Sequence, residues 1–173
     1  MTDVRLMQGD ITRVEAGAIV NAANSSLAGG GGVDGAIHRA GGPAVMADLD
    51  RRYGRGRHCP TGSAVVSAAG DLPATIVIHA VGPVWHGGSA GEPDALASAY
   101  RTSLDLAAQE GCRSVALPSI STGIYGYPIE AAAEIALATV DAWVAAHPGA
   151  FDTVTFVLFS ESTLRTFQRA RDR

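Results

Sequence analysis

The densest chemistry in the chain lies between Asn21 and His38. Asn21-Ala22-Ala23-Asn24 is followed by four consecutive glycines, Gly29 to Gly32, then by Asp34 and His38. Each glycine loses more backbone entropy on folding than any other residue, and a structural turn needs only one or two. Four together point to a ligand that must approach the main chain closely. A helix is expected to start at Val33, which sets free N–H groups and the positive helix end beside the glycines, an anion site. Asp34 stands where a carboxylate could act as a general base, or serve only as a first-turn residue favoured by the helix dipole. His38 shares the helix face of Asp34 and could orient it or the substrate, or simply pack.

A second segment has the same logic. Ser119-Ile120-Ser121-Thr122-Gly123-Ile124-Tyr125-Gly126-Tyr127-Pro128 also follows an expected strand and precedes an expected helix. Two such loops at the carboxyl ends of strands would face each other where open α/β sheets bind ligands, and together they suit a pyrophosphate. Ser119, Ser121 and Thr122 lack the G-x-S-x-G elbow of a nucleophilic serine and read as phosphate contacts. Gly30-x-Gly32-x-x-Gly35, with Asp50 beyond it, matches the dinucleotide fingerprint. However, the pattern does not directly follow its strand, and Asp50 falls in an expected helix.

The elements that must carry these loops alternate. Strands are expected at Val4–Gln8, Ala18–Asn21, Ala64–Ser67, Thr75–Ala80, Ser114–Leu117 and Thr153–Phe159. Helices are expected at Val33–Ala40, Pro43–Tyr53, Pro93–Gln109, from Pro128 to about His147, and at Ser160–Arg171 with Ser160 as N-cap. This pattern is an α/β layered domain. The length of 173 residues fits one domain spanning residues 1–173, and 47% hydrophobic with 17% charged residues excludes disorder.

Composition removes several function classes. All 13 basic residues are arginine, so a P-loop lysine and a Schiff-base lysine are both excluded. Cys59 and Cys112 form no C-x-x-C pair, and no metal site is expected. The net charge of −4 without a basic stripe makes nucleic acid a poor partner. No leader or membrane-length apolar run is seen, so a cytoplasmic protein is expected. His79 reads as a satisfied core residue, and His58, His86 and His147 receive no role.

These segments resemble the macrodomain family, specifically its MacroD-type branch. The likeness rests on Gly9-Asp10-Ile11 after the first strand, Asn21–Asn24, Gly29–Gly35 with Asp34, Ser121–Pro128, and Val77-Ile78-His79-Ala80-Val81-Gly82-Pro83-Val84-Trp85-His86-Gly87. It runs from Leu6 to about Phe167. One departure is Ser63, where the family often carries an acidic residue.

The resemblance implies a three-layer α/β/α fold with a mixed central sheet and ADP-ribose in a cleft at its edge. Asp10 would accept a hydrogen bond from the adenine amine, and the Ile11 backbone would meet the ring. Phe159 would stack on adenine, or be an ordinary core phenylalanine. Gly31, Gly32 and Val33 would hold the phosphates with Ser121, Thr122, Gly123, Ile124 and Tyr125, the last also lying on the distal ribose. Asn24 would bond ribose hydroxyls, or satisfy its own loop.

The catalytic set implied is Asn24, Asp34 and His38, with no cofactor. Asp34 would orient or deprotonate a water attacking an ester on the distal ribose. Sequence does not decide whether Asp34 or a substrate phosphate takes the proton. Expected partners are ADP-ribose and its esters and ADP-ribosylated proteins. The expected activity is hydrolysis of O-acetyl-ADP-ribose or of ADP-ribosylated acidic side chains. A non-catalytic ADP-ribose reader is the alternative, and an NAD-dependent dehydrogenase ranks below both.

Overall fold

A computed structural model describes residues 1–173. Six strands form one sheet: β1 (Asp3–Gln8), β2 (Ala16–Ala23), β3 (Ala64–Ala68), β4 (Ala74–Val81), β5 (Ser114–Leu117) and β6 (Thr153–Leu158), in the order β1-β6-β5-β2-β4-β3. All neighbours are parallel except β3, which pairs antiparallel with β4 at one edge. The sheet is therefore mixed, as expected. Five helices complete the domain: α1 (Gly32–Gly41), α2 (Pro43–Tyr53), α3 (Glu92–Gln109), α4 (Ile129–Ala146) and α5 (Glu161–Arg171). None is long and apolar enough to cross a membrane.

Side-chain alternation along the strands builds the three layers. In β2 and β4, Ala18, Val20, Ile76, Ile78 and Ala80 join the core shared with α3, α4 and α5. Ile19 and Val77 turn the other way and pack with Ile37 of α1, while Val81 packs with Val45 and Leu49 of α2. The period of two therefore puts Asn21 and His79 on the face beneath α1, and the β2–β4 register pairs them directly.

Several expected boundaries shift by a residue, and two strands differ in ways that matter to the site. The second strand is twice its expected length, Ala16–Ala23, because its flanking small residues pair with β4 along its whole edge. Gly17 fits within it because a Cβ there would lie 3.0 Å from that of Cys112. The last strand stops at Leu158, not Phe159. Phe159 lies outside the strand and is 80% exposed, so it is not a core residue. Ser160 caps α5 as expected, its Oγ accepting from Thr163 N at 3.2 Å.

Candidate functional site

The carboxyl ends of β1, β2, β5 and β6 carry the loops that the sequence singled out. After β1, Asp10 starts a 3-10 turn and its Oδ1 accepts from Thr12 N (3.0 Å) and Thr12 Oγ1 (2.7 Å). Those two bonds, the hydroxyl foremost, hold the Asp10 carboxyl below the ordinary carboxylate range. Its Oδ2 remains free of protein hydrogen bonds, with Arg13 Nε at 3.8 Å. Ile11 is buried behind it.

The loop after β2 is fastened by Asn24. Its Nδ2 donates to Gly29 O (2.9 Å), and its Oδ1 accepts from Ser26 Oγ (2.8 Å) and Ala28 N (3.4 Å). The loop-fastening alternative for this asparagine is thus realised, yet one Nδ2 hydrogen stays available and Asn24 lines the cleft. Gly30 to Asp34 then lead into α1, and none of their N–H groups has a protein acceptor. Gly35 explains the third glycine of the fingerprint-like pattern: a Cβ there would collide with the Gly30 carbonyl, which folds back onto the helix.

The loop after β5 is braced from below and from the side. Tyr100 OH donates to Pro118 O (2.9 Å) and accepts from Ile120 N (3.0 Å). Trp85 N donates to Tyr125 O (2.8 Å), and the Trp85 ring packs on Tyr127 at 4.6 Å. Thr122 Oγ1 bonds Ser119 O and Oγ, which turns its hydroxyl to loop support. The amides of Ser121 to Tyr125 have no protein acceptor. Ser121 is in the left-handed region at φ 69°, and its buried Oγ has no protein partner. Gly82 must lack a side chain because Ser121 Oγ and Ile120 Cγ2 press against it.

The two loops face each other across a continuous cleft. One cavity of about 300 Å³ is lined by Asn24, Gly30–Asp34, Ser121 and Tyr125 among others. A second, of about 580 Å³, is lined by Asp10, Ile11, Val33, Thr122 and Phe159 among others. They share Gly32, Val33, Ser119 and Gly123, so the amide cradles sit at the junction. Ile124, expected as a backbone contact, is 87% exposed on the rim of the first cavity.

Asp34 is buried at the floor of the first cavity. Its Oδ1 accepts from Asn21 Nδ2 at 2.7 Å and lies 3.4 Å from His38 Nε2. Its Oδ2 turns toward Gly30 and Asn24: a Cβ on Gly30 would stand 3.4 Å from it and 3.7 Å from Asn24 Nδ2. Burial, then the facing Asp34 carboxylate, pushes the Tyr125 hydroxyl above its ordinary value, which keeps it a donor.

Asn21 was legible only as part of the Asn21–Asn24 motif, and its contact with Asp34 was missed. Strand alternation within the expected Ala18–Asn21 run puts Asn21 on the same face as Ile19, which packs toward α1. No group of three or more His, Cys, Asp or Glu side chains converges as a metal site would require.

A three-layer α/β/α domain with a long cleft, main-chain amides at its waist and a buried carboxylate at one end defines a protein class built to take an elongated anion. The chain belongs to the macrodomain family: the Macro domain model matches residues 20–136. It is 55% identical to the O-acetyl-ADP-ribose deacetylase of Klebsiella pneumoniae, over 93% of this chain and 91% of the relative. It is 52% identical to the protein of that name from Escherichia coli, over 97% and 94%. Its fold matches an Oceanobacillus iheyensis macrodomain with ADP at TM-score 0.90 and 40% identity, covering 96% of this chain and 88% of the other. It also matches a Trypanosoma brucei macrodomain in complex with ADP-ribose at TM-score 0.87 and 40% identity, covering 97% and 68%.

Proposed function

We propose that the protein binds ADP-ribose along this cleft and hydrolyses ester-linked derivatives of it. The substrates are O-acetyl-ADP-ribose and ADP-ribose esterified to aspartate or glutamate side chains. Adenine enters the larger cavity, between the Asp10 carboxylate as acceptor for its amine and the exposed Phe159 ring as a stacking surface. The diphosphate takes the amides of Gly31–Val33 and Ser121–Tyr125, which need no net positive charge on the chain. The distal ribose then lies between Tyr125, Asn24 and Asp34.

The observation that carries the reading is the orientation of Asp34. One oxygen is tied down, and the other lies beside Gly30 and Asn24, which line the cavity where the distal ribose would sit. In the proposed reaction Oδ2 orients a water and accepts its proton as the water's oxygen bonds to the ester carbon. The ester C–O bond then breaks, the departing ribose oxygen takes the proton back from Asp34, and the products are free ADP-ribose and a carboxylic acid. Asn24 and His38 keep the carboxylate and ribose in place. The names of the relatives and the ligands in the solved neighbours support the same substrate class.

Incubation with O-acetyl-ADP-ribose should release ADP-ribose. Asp34→Ala should lower turnover about 10²- to 10⁴-fold, the usual scale for a lost general base, while the fold persists. Tight binding without product in the wild type would replace this reading by that of a non-catalytic reader.

A further inference from the structure

A buried chain of side chains runs from the sheet to the Asp34 carboxylate, and its hydrogens can be assigned. Ser67 Oγ donates to Ala68 O at 2.9 Å, which uses its single proton. The same oxygen lies 2.8 Å from His79 Nε2, and with the hydroxyl proton on Ala68 O it accepts that nitrogen's hydrogen. His79 Nδ1 is then an acceptor, 3.1 Å from Asn21 Nδ2. The second hydrogen of Asn21 Nδ2 goes to Asp34 Oδ1 at 2.7 Å. Asn21, Ser67 and His79 are all fully buried.

The amide has one workable orientation. Turning Asn21 over would set its carbonyl against two acceptors, Asp34 Oδ1 and His79 Nδ1. In the orientation found, Asn21 Oδ1 is buried with no protein partner, a cost of about 1–3 kcal/mol for such a group. The structure accepts an unpaired carbonyl in order to keep the nitrogen on Asp34.

We propose that His79 is a positioning residue for the hydrolytic step: by accepting from Asn21 it fixes the amide that claims Asp34 Oδ1, and so leaves Oδ2 facing the cleft. This rests on the hydrolase reading. The ring remains a neutral acceptor because burial, foremost, drives its pKa down to about 3. The charged and titratable groups around it are Asp34, His38 (ring centroids 5.9 Å apart) and Arg57.

Two measurements test the proposal. A long-range ¹H–¹⁵N spectrum of the wild-type protein should show His79 neutral, with its hydrogen on Nε2, from pH 5 to 8. The Nδ1–H tautomer would overturn the proposal whatever the variants do. Kinetics on O-acetyl-ADP-ribose should show His79→Leu losing up to about 100-fold in kcat, the scale on which misplacing a reacting group slows a reaction, with KM unchanged. His79→Asn, whose Oδ1 can replace Nδ1 as acceptor, should recover most of that loss. A normal kcat in His79→Leu, or equal losses in both variants, would contradict it. Absence of turnover in the wild type would strike the hydrolase reading instead, and the tautomer is read independently of it.

Discussion

Ser121 holds a backbone angle that L residues rarely adopt, and the hydroxyl it carries there has no protein partner. Such a conformation costs about 1–3 kcal/mol. The variants Ser121→Gly and Ser121→Ala separate the strain from the hydroxyl. Glycine removes both, and relief of strain, less its own unfolded-state entropy, should raise Tm by about 2–4 °C. Alanine keeps the strain. Both should bind ADP-ribose roughly 10- to 100-fold more weakly in calorimetry, since a hydrogen bond to a charged group contributes about 1.5–3 kcal/mol. Wild-type affinity in Ser121→Ala would show that the hydroxyl does not touch the ligand. At this scale the sequence was partly readable. The i,i+4 spacing of Asp34 and His38 predicted one helix face, and the two side chains meet at 3.4 Å. The positive φ of Ser121 left no trace, because nothing in a serine announces a left-handed turn. Phe159 could not be resolved from sequence, since an aromatic one residue past a strand reads the same whether it turns in or out.

At the scale of elements, the glycine loop and α1 work as one unit because Gly35 lets the Gly30 carbonyl lie against the helix. Gly35→Ala places a methyl where that carbonyl sits, and something must shift. The expected result is displacement of Gly30–Val33, loss of ADP-ribose binding by at least tenfold, and helix content unchanged by circular dichroism. Unchanged affinity would mean the loop carries no ligand. Glu92 has a similar job on the other side. Its carboxylate accepts from His86 N (2.8 Å), Gly88 N (2.9 Å) and Ala90 N (2.6 Å), gathering the loop whose Trp85 supports Tyr125. Apolar runs, helical stripes and the proline, glycine and serine signals at element ends recovered the six strands and five α-helices, but not the short 3-10 turn at Ile11–Arg13. They could not supply the strand order or the Asn21–His79 pairing, which arise from contacts distant in sequence.

For the whole molecule, two groups tie stability to pH in overlapping windows. His79 is held at about 3, below its ordinary 6.5, so the unfolded chain binds more protons between those values. Its contribution is complete above pH 6.5 and is lost as pH falls toward 3, with a slope of at most about 1.4 kcal/mol per pH unit. Glu92 is held at about 2, chiefly by the His86 N–H, below its ordinary 4.5. Its contribution is complete above 4.5 and is lost as pH falls toward 2. Urea midpoints should therefore decline from pH 6.5 downward, and His79→Asn should flatten the limb between 6.5 and 4.5 and leave below it only the shallower Glu92 limb. A flat wild-type profile from pH 7 to 4 would contradict the assignment. The α/β class and both loops were readable from the whole chain, because strand, glycine loop and helix recur in order. The cleft itself was not, because it exists only where two loops about 90 residues apart in sequence face each other. A crystal structure of the Asp34→Asn protein soaked with ADP-ribose tests that arrangement most directly. The diphosphate should lie on the amides of Gly31–Val33 and Ser121–Tyr125, with adenine beside Asp10 and the distal ribose over residue 34. A diphosphate bound elsewhere, or a ribose turned away from that side chain, would contradict the account.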